Sequence, residues 1–267
     1  MTAAARAILA AGLALHALIS AAAAQPALSD AEIERFLLEA RVVRTRSIGK
    51  GVTAAERATL SDGTLTHDAQ IQTIDERRQR FESPHGIEFN FRDSWKYNVA
   101  AYRLDRLIGL NMVPVSVSRR WRTAPAAYTW WVDDVMMEEG DRLKRKIAAP
   151  DADAWNRQMQ LVRLFDQLIY NVDRNIANVL ITRDWRIWAI DHTRAFRVFR
   201  ELKSAGNITR CDRQVLDALK RLDRATLASR LDDVLTPDEI ATLLARRDLI
   251  VARLEALGPG ALFDRTP

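Results

Sequence analysis

The chain has 267 residues, 48% hydrophobic and 28% charged, enough to bury a substantial core in one large domain or two lobes, and this excludes wholesale disorder. Its formal net charge of +5 comes mostly from scattered arginines, with no basic block and no basic run interleaved with aromatics, so no nucleic-acid surface is indicated. The lone cysteine, Cys211, excludes an intramolecular disulfide and a cysteine-built metal site.

The first residues, MTAAARAILAAGLALHALISAAAAQ, hold one basic residue, Arg6, then an Ala/Leu-rich run without an acid, then small residues up to Ala24. This is the pattern of a secretory signal peptide cleaved near Ala24-Gln25, with a single membrane anchor as its rival. Cleavage would place the mature chain in the periplasm or outside the cell, with no membrane span left.

A short helix opens at Leu28–Glu32, where Ser29 and Glu32 have capping-box spacing. From Ala40 to about Asp75 the pattern becomes that of three antiparallel strands, Arg41–Ser47, Ala54–Leu60 and Ala69–Ile74. Ile48-Gly49-Lys50-Gly51 forms a glycine turn between the first two, and Asp62-Gly63 marks a tight hairpin before the third. Helical spacing of Trp95, Val99, Tyr102, Leu104, Leu107 and Ile108 predicts a helix over Phe91–Leu110. Two more strands follow, Val113–Trp121 and Ala127–Met137, with Pro125 in the turn between them. The polar patch Glu138-Glu139-Gly140-Asp141 reads as a hinge, dividing residues 25–138 from 139–267. Beyond it the chain is mainly helical: Asp153–Tyr170, then segments near Thr193–Lys203, Arg213–Leu222, Ala225–Leu231 and Asp238–Leu257. The last starts with the cap Thr236-Pro237-Asp238-Glu239.

One hairpin interrupts this helical half. Val179–Thr182 and Arg186–Ile190 are strand-like, and Arg183-Asp184-Trp185 forms the turn. Asp173 and Asn178 precede the first strand and Asp191 follows the second, so three oxygen-bearing side chains meet at one end. The plain alternative is an acidic corner that only binds nearby arginines such as Arg174 and Arg194.

Asn178 follows Asp173 by five positions and Asp191 follows Asn178 by thirteen. With the sequences VDRNIANVL and AIDHTRAF, this resembles the catalytic loop and metal-binding aspartate of atypical members of the protein-kinase-like superfamily. Those members are the phosphatidylinositol kinases, the HipA toxin kinases and the secreted Fam20 kinases. The resemblance implies an α+β, two-lobed protein-kinase-like fold, with a small antiparallel sheet and helix in the N-lobe and a mainly helical C-lobe. It implies ATP and Mg²⁺, with Asp173 orienting or deprotonating a hydroxyl acceptor and Asn178 and Asp191 holding the cation. Gly49, Lys50 and Gly51 stand where a phosphate-covering loop belongs, and Glu138 stands where hinge backbone would meet an adenine. Only the catalytic loop matches at residue level; the remainder, over roughly Val42 to Ile190, matches in element order.

The pattern departs from such kinases at one pair. The third strand reads DAQIQTID, so Gln70 or Gln72 replaces the expected lysine, and on the following helix Asn98 replaces the expected glutamate. Amides can hydrogen-bond each other but bring no charge to a phosphate. Two readings stay open: another base such as Lys50, Lys96 or Arg46 substitutes, or the protein is a pseudokinase that binds nucleotide or a partner without catalysis. A third is a divalent-metal hydrolase using the same corner without nucleotide.

His192, beside Asp191, reads more readily as a structural histidine than as a site residue. Trp130-Trp131 reads as part core and part rim, with the lining of a nucleotide pocket as the sharper alternative.

Overall fold

A computed structural model describes residues 28–49, 55–83 and 86–265 of the chain. The signal-peptide pattern and the turn residues Lys50 and Gly51 lie outside the described residues. Chain order begins with helix α1 (Asp30–Glu39) and strands β1 (Arg41–Ser47), β2 (Glu56–Ser61) and β3 (Thr66–Gln72). Next come a ribbon, β4 (Asp75–Ser83) and β5 (Gly86–Ser94), and helix α2 (Lys96–Leu107). Strands β6 (Ser116–Trp121), β7 (Ala124–Trp130) and β8 (Val135–Glu138) lead to α3 (Glu139–Lys144) and the long α4 (Ala152–Leu168). The hairpin β9 (Val179–Thr182) and β10 (Ile187–Ala189) precedes β11 (Cys211–Asp212), α5 (Arg213–Arg221), α6 (Arg224–Leu231), α7 (Pro237–Leu257) and β12 (Leu262–Phe263).

A five-stranded antiparallel sheet has the order β1-β2-β3-β7-β6. The three expected N-terminal strands are present. Their glycine turn is closed by Ile48 N–H donating to Ala55 O at 3.2 Å, with Gly49 at φ +65°, where a Cβ would be strained. At the next turn Asp62 Oδ1 accepts from the backbone of both Thr64 and Leu65, at 2.8 Å each. Ser29 and Glu32 form the capping box of α1, and Thr236 and Glu239 form that of α7.

Helix α2 lies under the sheet, with Val99, Ala100, Ala101 and Leu104 fully buried. In the C-terminal half α4 buries Leu161, Val162, Leu164, Phe165 and Leu168 among α7, β10 and β11. Both halves share one contiguous apolar core.

Several expected elements differ. The helix expected from Phe91 starts at Lys96, because residues 91–94 complete β5. The amides that would lead into it are committed elsewhere: Ser94 N–H donates to Thr193 O at 2.9 Å and Trp95 N–H to Ile74 O at 2.7 Å. The turn between β6 and β7 is at Arg122-Thr123, with Arg122 at φ +54°, and Pro125 lies inside β7. The single strand expected over Ala127–Met137 is two strands, because Asp134 at φ +54° breaks it. Its second part, β8, pairs with β9 in a separate sheet of order β10-β9-β8.

No α-helix forms over Thr193–Lys203. Asp191 and Phe196 have φ of +57° and +54°, which no right-handed helix accommodates, and Phe196 N–H donates across to Ile169 O at 2.5 Å. The arginines of this segment are drawn outward instead: Arg194 and Arg197 both pair with Glu88 on β5.

Candidate active site at the β9–β10 corner

The corner is built from a loop, a one-turn helix and the end of a hairpin. After α4, Tyr170 turns the chain at φ +48°, and Asn171 Oδ1 accepts from the backbone N–H of Asp173 at 3.0 Å. The Asp173 side chain is exposed. Asn175 caps the short 3-10 turn Ile176–Asn178 by accepting from Ala177 N–H at 2.8 Å. Asn178 thus ends a rigid turn next to β9. Its backbone oxygen accepts from Ile190 N–H at 3.0 Å, which fixes the spacing between Asn178 and Asp191.

Arg174 holds this arrangement from behind. Its guanidinium donates to both carboxylate oxygens of Asp166 at 3.0–3.1 Å, to Asn178 O at 3.1 Å and to Ile190 O at 2.7 Å. It also donates to His192 Nε2 at 2.8 Å. One planar fork therefore joins α4, the loop and both ends of the hairpin. Of the two arginines in the plain alternative, Arg174 forms its ion pair with Asp166 and Arg194 with Glu88.

Burial pushes the Asp191 carboxyl above its ordinary range, and the charge of Asp173 pushes it further, while Thr193 and Arg174 act against the shift. The two carboxylates are therefore within electrostatic reach of each other. Thr193 Oγ1 donates to Asp191 Oδ1 at 3.2 Å. His192 is 1% exposed, and burial, then the charge of Arg174, hold it neutral, well below its ordinary pKa. With Nε2 accepting from Arg174, its proton sits on Nδ1, and the structural reading of this histidine holds.

Gln72, not Gln70, is the strand residue facing α2. Asn98 Nδ2 donates to Gln72 Oε1 at 2.8 Å, and both residues are buried, at 4% and 2% exposure. Asn98 Oδ1 accepts the backbone N–H of His192 at 2.8 Å, so the amide pair ties β3 and α2 to the residue following Asp191.

Gly49 lies in the first turn of the sheet, while Lys50 and Gly51 fall outside the described residues. Glu138 ends β8 opposite Leu180, beside the hairpin. Of the other basic candidates, Lys96 sits 3.5 Å from Asp75 and over the Trp95 ring, and Arg46 is exposed on β1. Trp130 stacks on His67 at 3.4 Å and meets the edge of Phe36, and Trp131 lies under the Arg57 guanidinium at 4.0 Å.

Two residues of the corner were not singled out in the sequence. Asp166 lies eight residues before Arg174 on a helix face that reads as apolar. Asp93 sits at the end of β5 and is 9% exposed, with the charge of Asp191 acting on it. The one signal for Asp93 was an acid among the aromatics of FNFRDSW.

Asp191, Asn178 and Asp173 offer oxygen donors, which suit a hard divalent cation. Among the described residues no group of three His, Cys, Asp or Glu side chains is arranged as a metal cage, so a cation here would need further oxygens from a ligand or water. Mg²⁺ held by one or two carboxylates and by phosphates fits that donor set.

No protein-family model matches the chain, and no curated protein matches it in sequence. Solved structures match it in fold. Hydra Fam20, solved with sugar, has a TM-score of 0.68 at 14% identity, over 89% of this chain and 93% of that one. The Golgi casein kinase, solved with Mn/ADP bound, has a TM-score of 0.59 at 12% identity, over 86% of this chain and 76% of that one. The Helicobacter pylori proinflammatory kinase CtkA has a TM-score of 0.53 at 10% identity, over 84% of this chain and 98% of that one. The chain has an α+β, protein-kinase-like fold.

Proposed function

We propose that the chain is an exported phosphotransferase that carries the γ-phosphoryl group of ATP to a hydroxyl acceptor at the β9–β10 corner. The observation that carries this reading is that Asp173 and Asp191 lie within electrostatic reach of each other at that corner, with the backbone of Asn178 bonded to Ile190 beside Asp191, in a kinase-like fold. Asp173 is exposed, as a group that meets an incoming acceptor must be, and Asp191 is half-buried, as suits a ligand of a cation. Two structural neighbours support the chemistry: one is a kinase with Mn/ADP bound and another is a proinflammatory kinase.

In this reading the acceptor hydroxyl loses its proton to the Asp173 carboxylate as its oxygen takes the phosphoryl group and ADP leaves. Asn178 and Asp191 hold Mg²⁺, which when bound offsets the charge on the phosphates. Gly49, Lys50 and Gly51 cover the phosphates, and Lys50 supplies the cation that Gln72 does not. Residues 25–138 and 139–267 act as the two lobes around the nucleotide. Export rests on the first 24 residues. Among the described residues no helix is long and apolar enough to cross a membrane.

A specific observation favours a second reading. The hydrogen-bonded Gln72–Asn98 pair is complete and neutral, which fits a pseudokinase that binds nucleotide or a partner without transfer. Incubation with γ-labelled ATP, Mg²⁺ and a panel of protein, sugar and lipid acceptors separates the two. Transfer reduced about 100-fold or more by Asp173→Asn supports catalysis. Nucleotide binding without transfer to any acceptor or to the chain itself supports the pseudokinase, and transfer indifferent to Asp173→Asn removes the proposed role of that residue.

A further inference from the structure

Asp93 is the buried acid that the fold leaves unexplained. It is 9% exposed, and its Oδ1 is fully buried with no hydrogen-bond partner. Buried carboxylate oxygens without partners are costly and rare, and those that persist usually await an ion, a water or a substrate. Its neighbours direct it to the candidate active site. The Thr193 hydroxyl, 3.2 Å from Asp191 Oδ1, is also within reach of the Asp93 carboxylate and can donate to one of the two at a time, while Ser94 N–H donates to Thr193 O at 2.9 Å. The end of β5 is thereby fastened to the residues just after β10, with the two carboxylates on either side of one threonine.

The charges around Asp93 do not neutralise it. Burial, then the charges of Asp191 and Glu76, push its carboxyl above the ordinary range, and Arg194 and Thr193 oppose them. Arg194 is the nearest cation named, but its guanidinium pairs with Glu88 and lies over the Phe91 ring at 4.9 Å. Lys96 is paired with Asp75, and Arg174 with Asp166. The corner has three carboxylates, Asp93, Asp173 and Asp191, and a neutral amide pair where a lysine and glutamate would stand, and among the described residues the guanidiniums nearby, Arg174 and Arg194, each form their ion pair with another acid.

We propose that Asp93 and Asp191 share a divalent cation, which adds positive charge at a corner where the Gln72–Asn98 pair brings none. The inference rests on the phosphoryl-transfer reading for its purpose, and on the carboxylate pair alone for its existence. Two carboxylates and the hydroxyl of Thr193 form an all-oxygen donor set, suited to Mg²⁺ or Mn²⁺ with water filling the remaining positions. Such a site binds cation before nucleotide arrives.

The test is a titration of the whole chain with MnCl₂, free Mn²⁺ being read by electron paramagnetic resonance, first without nucleotide and then with ADP. The wild type is compared with Asp93→Asn and Asp191→Asn, which keep the side-chain shape, and circular dichroism checks that each is folded. The expected result is saturable Mn²⁺ binding without nucleotide that each substitution weakens about tenfold or more. Unchanged Mn²⁺ affinity in folded Asp93→Asn overturns the inference and leaves Asp93 a structural acid. If that variant still binds Mn²⁺ with ADP as the wild type does, the inference falls and the phosphoryl-transfer reading stands. If Mn²⁺ binds through Asp93 but no nucleotide binds, the cation site stands and that reading falls.

Discussion

Asn98 donates to Gln72 across 2.8 Å and accepts the backbone N–H of His192 at 2.8 Å, so one neutral amide bridges the sheet, helix α2 and the residue after Asp191. In a buried site, such a bridge positions the strand and the helix without the desolvation cost of an ion pair. Its consequences can be measured by exchanging the chemistry. Gln72→Lys alone buries an unpaired ammonium and is expected to destabilise the chain by about 3 kcal/mol or more. Adding Asn98→Glu should return part of that loss, giving a coupling on the order of 1 kcal/mol or larger in a double-mutant cycle followed by urea unfolding. Strictly additive losses would mean that the two positions do not act as a pair.

Arg174 joins α4 to the hairpin through Asp166, Asn178 O, Ile190 O and His192. Its removal leaves the buried Asp166 carboxylate without its cation, held only by Asn171 Nδ2, and takes the side-chain donor from Asn178 O and Ile190 O. Arg174→Ala is expected to cost about 3–5 kcal/mol in urea unfolding, and Arg174→Lys to recover only part, because an ammonium cannot reproduce the planar fork. A loss below about 1 kcal/mol would show that the corner does not depend on this guanidinium.

The order of elements and the hairpin corner were legible because the signals are local. β-Branched alternation marked β9 and β10, and Asp62-Gly63 and the two capping boxes marked their turn and helix starts. The Gln72–Asn98 pairing was readable in part, from the kinase-like resemblance: the sequence left Gln70 or Gln72 open opposite Asn98, and the structure pairs Gln72. What sequence could not give came from distant contacts. The β4–β5 ribbon has charged residues on both sides of DERRQRFES, so no period-2 pattern announced it. Thr193–Lys203 has a helical composition, yet Glu88 claims Arg194 and Arg197, and Asp191 and Phe196 take left-handed backbone. Arg246 is a third case. It lies fully buried on α7, donating to the backbone oxygens of Leu168, Arg197 and Phe199, a role visible only once α4 and the segment after Asp191 are adjacent.

Cys211 is fully buried, and burial, then the charge of Asp212, push its thiol up to about 12. A thiol in that state is inert at neutral pH. Labelling with an aromatic disulfide at pH 8 is expected to be slow in the native chain and to proceed only at the rate of unfolding, then complete rapidly in denaturant. Prompt labelling of the native chain would contradict the burial of this residue.

Asp105 offers a pH test remote from the site. It is fully buried on α2, accepts from Met112 N–H at 3.0 Å and pairs with Arg106. Burial raises its carboxyl from 3.8 to about 6, with Arg106 opposing. Between those values the folded chain holds a proton that the unfolded chain has released. The contribution of this group is therefore greatest below about pH 4 and is lost as pH rises through about 6, by on the order of 1–3 kcal/mol. The stability of the wild type relative to Asp105→Asn should fall across that window in urea unfolding at successive pH values. A difference that stays flat or rises would reverse the sign assigned here.

The most direct test of the central claim is a thermal-shift titration of the chain with ATP or ADP, with and without Mg²⁺, beside Asp191→Asn. At about 100 times its Kd a nucleotide should add roughly 2.7 kcal/mol, a rise in Tm of several degrees or slightly less for a chain of this size. The expected result is a rise that requires Mg²⁺ and disappears in Asp191→Asn. A Tm indifferent to every nucleotide in the wild type, or one that rises equally in Asp191→Asn, would contradict a nucleotide and cation site at the β9–β10 corner.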